Sequence, residues 1–96
     1  MSILDIMHEK KDEISSIANK YGVSNIQLFG SVARKEDTDK SDIDILIELE
    51  DDRSLFDLIG FKYSMEELLN KKVDVVTIDS LHETIREKVL REKIPI

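Results

Sequence analysis

Ile3, Ile6, Met7, Ile14, Ile17, Ala18 and Tyr21 recur at helical spacing, three, four or seven residues from one another along one face. That spacing predicts an amphipathic helix over residues 2–21. Ser2 suits its N-cap, and Gly22 suits the left-handed position just past its end. The short apolar run at residues 25–29 (Ile26, Leu28, Phe29) stops at Gly30 and reads as a strand, with a short helix over 31–35 directly behind it. From residue 42 to 49 the pattern turns to strict alternation. Ile43, Ile45, Ile47 and Leu49 take one face, and Asp42, Asp44, Leu46 and Glu48 the other, which predicts a second strand. Ser54 can cap a helix carrying Leu55, Leu58, Ile59, Met65, Leu68 and Leu69. Residues 73–78 are apolar and mostly β-branched, a third strand broken by Asp74. Ser80 and Glu83 have capping-box spacing ahead of a last helix with Ile85, Val89 and Leu90. The order of elements predicts an α+β fold, helices packed on a small sheet.

Composition narrows this picture. At 96 residues and 41% hydrophobic, the chain is expected to form one domain, residues 1–96, around a modest core. It has no cysteine, which excludes disulfides and thiolate metal sites and fits a reducing cytoplasm. Asp5, His8, Glu9 and Lys10 are unlike a signal peptide, and no apolar run approaches the roughly 20 residues of a membrane span. A net charge of −7 argues against direct nucleic-acid binding and suits divalent cations or a basic protein partner.

The charge matters most in the stretch GSVARKEDTDKSDID, residues 30–44. Asp42 and Asp44 alternate along a strand, so their carboxylates leave the same face, roughly 6–7 Å apart at the backbone. Such a pair repels unless a cation sits between, and all-oxygen donors favour a hard ion such as Mg²⁺. Asp74 adds a third carboxylate where an apolar strand should have none. If the third strand lies beside the second, three carboxylates converge and can hold two metal ions, as in phosphoryl transfer. Gly30 permits close backbone approach, and a helix starting at Ser31 would aim N–H groups at a phosphate. Together these could grip a nucleoside triphosphate. Each piece alone has a plainer reading: Gly-Ser as a turn, Asp-x-Asp as the wet face of a strand, Arg34 as a surface cation. Residues 35–40 read as solvated loop, His8 and His82 as helix-surface residues, and Tyr21 and Tyr63 as edges of the core.

Gly30-Ser31-Val32-Ala33-Arg34 followed by Ser41-Asp42-Ile43-Asp44-Ile45-Leu46 resembles the GSxAR…SDxDL motif of the minimal nucleotidyltransferases, within the DNA polymerase beta-like nucleotidyltransferase superfamily. The resemblance covers nearly the whole chain. It implies a mixed β-sheet flanked by helices that binds ATP with two Mg²⁺ ions. By matching position, Asp42 and Asp44 would ligate metal, and Asp74 would be a third ligand or the base activating an attacking hydroxyl. Gly30 and Ser31 would hold the triphosphate, with Arg34 and Ser41 as further contacts. The reaction implied is transfer of AMP to a hydroxyl with release of pyrophosphate. Many such small domains are similar to antitoxins that transfer AMP to a tyrosine of a HEPN-domain toxin. The alternative expectation is a nucleotide-binding module that neutralises its toxin by covering it. One departure stands out: Lys35 follows the Ala-Arg step, where many members have glycine. A left-handed turn is strained for lysine, so the loop is expected to differ there.

Overall fold

The computed structural model describes residues 3–36, 38 and 40–95. The first predicted helix forms in two pieces, α1 (Ile3–Glu9) and α2 (Lys11–Tyr21). Lys10 at the joint has φ −97° and ψ 19°. Its N–H still donates to the Ile6 carbonyl, and its carbonyl accepts from the Ile14 N–H. Helical bonding therefore nearly runs through. The proposed Ser2 cap lies outside the described residues. Gly22 ends α2 in the left-handed conformation, φ 69°, with its N–H returned to the Ala18 carbonyl.

Strand β1 (Val23–Phe29) leads into a single helical turn, α3 (Gly30–Ala33), and then β2 (Ile43–Leu49). Ser24 pairs with Glu48, but the next pair is Gln27 with Leu46. One extra residue in β1 makes a bulge, with Asn25 at φ 51°. Ser54 caps α4 (Leu55–Leu69) as its sequence suggests. Its hydroxyl accepts from the Phe56 N–H, and Asp57 accepts from the Ser54 N–H.

After β3 (Val73–Thr77) the expected Ser80–Glu83 box does not form. Ser80 Oγ instead donates to the Thr77 carbonyl at 2.8 Å and accepts from the Thr77 N–H at 3.2 Å, closing a 3₁₀ turn, Ile78–Ser80. His82 takes the N-cap of α5 (Glu83–Glu92) without a side-chain cap. A short strand not anticipated from the sequence, β4 (Ile94–Pro95), follows. It pairs antiparallel with β1 through Ile94–Leu28 and Pro95–Gln27. Proline is tolerated because β4 is an edge strand with one side unpaired.

The sheet order is β3-β2-β1-β4, with β2 and β3 parallel and the other pairs antiparallel. Ile43, Ile45, Ile47, Val73, Val75 and Leu28 bury one face against Met7, Ile14, Ala18, Phe61, Met65 and Leu69 of α1, α2 and α4. Each of these side chains larger than alanine contributes about 1.5–3 kcal/mol when fully buried. Gly60 lets α4 approach α2, since a Cβ there would sit 2.9 Å from Tyr21 Cζ. Tyr21 is a core edge as expected, whereas Tyr63 is 62% exposed. On the other face Leu46 and Val89 are buried outside this cluster, while Ile85 and Leu90 remain exposed. The last helix therefore buries less of its apolar side than its sequence suggests. Among the described residues, no helix is long and apolar enough to cross a membrane.

Candidate active site

The parallel register sets Asp44 directly opposite Asp74. Side chains at paired positions leave a sheet on the same side, so these carboxylates are neighbours across the β2–β3 seam. Asp42 precedes β2 and is exposed, Asp44 is half-buried, and Asp74 is exposed. The Asp44 carboxyl holds its proton above the ordinary 3.8. Burial is the main cause, the charges of Asp74 and Asp42 add to it, and Arg34 works against it. The three acids thus share one electrostatic environment that disfavours negative charge on Asp44 and favours a cation. Among the described residues, no three acidic or histidine side chains close tightly enough to enclose an ion. Repulsion between the carboxylates opposes such closure.

Phe29 pairs with Asp44, so Gly30 leaves β1 beside it. Gly30 has φ 70°, and a Cβ there would collide with Asp44 Oδ2 and lie 3.1 Å from its Cγ. Both the backbone angle and the close carboxylate require glycine. Gly30, Ser31, Arg34, Ser41, Asp42 and Asp44 line one open cleft of about 460 Å³. Asp74 is not among its walls and flanks it from the next strand. Ile85, Lys88, Val89 and Glu92 of α5 form the opposite wall. Sequence reasoning missed that wall. Its signal was present, because residues 85, 88, 89 and 92 repeat at i, i+3, i+4 and i+7 along one helix face.

Arg34 bonds Glu36 through Nε and Glu92 through a terminal nitrogen, each at 3.0 Å. Ser41 Oγ accepts from the Thr38 N–H at 2.9 Å. Lys71 Nζ donates to the carbonyls of Thr38 (3.0 Å) and Ser41 (3.2 Å), fastening the loop before β2. Lys35 overturns the expected departure: it adopts φ 60°, so the left-handed turn persists with lysine in it. Hydrogen bonds from Lys35 N–H to Val32 O (3.1 Å) and from Glu36 N–H to Ser31 O (2.8 Å) hold that turn. The loop's connections outweigh the strain of one residue.

A family model described as a nucleotidyltransferase domain matches residues 9–96. The chain belongs to the nucleotidyltransferase domain family. It is 42% identical over 90 residues to a protein of Methanocaldococcus jannaschii assigned as a protein adenylyltransferase, spanning 94% of this chain and 97% of that protein. It is 38% identical over 78 residues to the protein adenylyltransferase MntA of Thermococcus cleftensis, spanning 81% and 80% of the two chains. A solved structure assigned as a minimal nucleotidyltransferase superposes with a TM-score of 0.86 at 36% identity, covering 100% of this chain and 97% of the other. The fold also recurs in a complex of a tri-AMPylated Shewanella oneidensis HEPN toxin with its MNT antitoxin, with a TM-score of 0.67 at 19% identity over 93% of this chain and 70% of that one. The mixed sheet with flanking helices is therefore the nucleotidyltransferase fold, and the enzyme class of this chain is nucleotidyltransferase.

Proposed function

We propose that this nucleotidyltransferase transfers AMP from ATP to a hydroxyl, a tyrosine in particular, of a HEPN-type toxin, and so acts as its antitoxin. The observation that carries the reading is the Asp44–Asp74 register pair beside Gly30, which holds the carboxylate open towards a cleft of nucleotide size. An all-oxygen donor set around a carboxyl that resists ionisation fits Mg²⁺. Bound Mg²⁺ would neutralise the triphosphate and polarise the α-phosphate.

In this reading Asp42 and Asp44 would hold two metal ions, and Asp74 would ligate beside them or accept the proton of the attacking hydroxyl. Gly30 and Ser31 bring backbone against the phosphates, with Arg34 and Ser41 further contacts. The acceptor oxygen bonds the α-phosphorus as the bond to the β-phosphate oxygen breaks, and pyrophosphate leaves. The relatives carrying adenylyltransferase names, and the shared fold of the MNT antitoxin, support this choice of reaction and partner. We assign residues 1–96 to one working domain in the cytoplasm. No cysteine demands an oxidising compartment, and a charge of −7 disfavours nucleic acid as a direct ligand.

A second reading has its own observation. Leu55, Phe56, Ile59 and Tyr63 leave an apolar surface on α4, with Phe56 84% exposed. Such a surface suits a chain that neutralises a partner by covering it. The two readings separate on the mass of the toxin after incubation with this chain, ATP and Mg²⁺. A gain of one or more AMP groups supports transfer. Tight binding with unchanged mass overturns it in favour of the covering module.

A further inference from the structure

Beyond any metal ion, the sequence motif offers a triphosphate in this cleft no side-chain cation free of an ion pair. The helix behind Gly30 is a single turn, Gly30–Ala33, so its dipole is slight. Arg34, the motif's cation, is already bonded to Glu36 and Glu92. The charged walls of the cleft are two cations, Arg34 and Lys88, against three carboxylates, Asp42, Asp44 and Glu92. Among the described residues Lys88 makes no ion pair.

We propose that Lys88 of α5 is a triphosphate-binding residue of this enzyme, the free cation of the cleft wall facing the aspartates. The proposal rests on the nucleotidyltransferase reading and adds a residue from outside its motif. Lys88 lies on the same helix face as Glu92, one turn earlier. Glu92 is tied to Arg34, and Ile94 and Pro95 just beyond it are stitched into the sheet against β1. The helix backbone is therefore fixed, while the lysine stem is free to follow phosphate oxygens with its three donors. Ile85 and Val89 beside it give that wall an apolar part, against which a base can rest while the phosphates meet Lys88.

The test titrates the full chain with ATP and with adenosine, both with Mg²⁺, and follows chemical shifts. Lys88 is exposed, so Lys88→Ala keeps the fold, and a melting curve checks it. The expected result is ATP binding weakened about tenfold by Lys88→Ala, with adenosine unchanged. Lys88→Arg restores ATP binding, and the wild-type advantage shrinks as salt rises. Unchanged ATP binding in Lys88→Ala, or equal weakening of ATP and adenosine, overturns the assignment while leaving the nucleotidyltransferase reading intact. Wild-type chain that binds no ATP overturns both.

Discussion

Two corners of the molecule are built from the same parts. At one, Arg53 bonds Glu50 (3.3 Å), Asp57 (3.5 Å) and the Lys20 carbonyl (3.2 Å) beside the left-handed Gly22. At the other, Arg34 bonds Glu36 and Glu92 beside the left-handed Gly30. The difference lies in what fills the space each glycine leaves. At Gly22 it is the Arg53 side chain, whose Cγ and Cδ would be 2.7 and 2.9 Å from an added Cβ. That arginine ties the end of α2 to the start of α4, and its partners are all structural. At Gly30 the space belongs to the Asp44 carboxylate, which faces other carboxylates. Each arginine faces two carboxylates, so the contrast is in the filler itself: at Gly22 it is a cation bonded within the chain, and at Gly30 it is a carboxylate pressed by further carboxylates beside an open cleft.

The largest effect should come from Asp44→Asn. If the second corner serves catalysis, AMP transfer falls by more than the about 10–100-fold that loss of an outer partner of a metal ligand costs. The fold should survive and gain stability in Mg²⁺-free buffer, because a group disfavoured in its charged form is removed. The sign follows from Asp44's raised pKa. Between its unfolded and folded pKa values the folded chain binds more protons, so its stability declines as pH rises through that window. The penalty stays above it and disappears at lower pH. Asp44→Asn should flatten this part of the Tm-against-pH curve. A variant that keeps full transfer, or that melts earlier without metal, breaks the comparison.

The glycines give a paired test. Gly30→Ala pushes the Asp44 carboxylate aside, and displacement of a reacting group by about 1 Å can cost 100-fold in rate. Gly22→Ala meets the Arg53 stem and a left-handed φ of 69°, worth about 1–2 kcal/mol from the backbone alone. It should lower Tm and leave the rate per folded molecule unchanged. Denaturation curves read beside AMP-transfer rates decide this. Equal patterns for both variants would mean that the corners do not differ in kind.

Metal should sharpen the contrast by a smaller amount. Mg²⁺ at 100 times its Kd raises stability by about 2.7 kcal/mol through mass action. The gain should vanish in Asp44→Asn and persist in Arg53→Ala, although the latter melts lower. Melting with and without Mg²⁺ measures it, and a gain retained by Asp44→Asn would place the ion elsewhere.

The sequence made one corner far more legible than the other. Alternation from Asp42 to Leu49 set Asp42 and Asp44 on one face, and an acid inside an apolar strand singled out Asp74. Their meeting needed the parallel β2–β3 pairing, which periodicity does not encode. The α5 wall was hidden because Ile85 and Val89 read as core positions, although Ile85 is 53% exposed and faces the cleft. Edge strand β4 was hidden by its two-residue length and its proline. The Arg53 joint carried no signal, since a single arginine ahead of the Ser54 cap is unremarkable until Gly22 is brought beneath it.

The smallest effect concerns Lys35, where the chain keeps a left-handed turn, φ 60°, without glycine. Relief of strain by Lys35→Gly, about 1–2 kcal/mol, is offset by the added freedom of glycine in the unfolded chain, about 0.5–1 kcal/mol. The net expectation is a gain of between zero and about 1.5 kcal/mol, or a Tm rise of at most roughly 6–12 °C for a domain of this size. The hydrogen bonds from Lys35 N–H to Val32 and from Glu36 N–H to Ser31 are backbone bonds and survive the change. Arg34 should therefore keep its place between Glu36 and Glu92, and ATP affinity should not move. A Tm that falls instead would show that the lysine side chain contributes contacts worth more than the strain it imposes, and the turn would then depend on lysine rather than merely tolerate it.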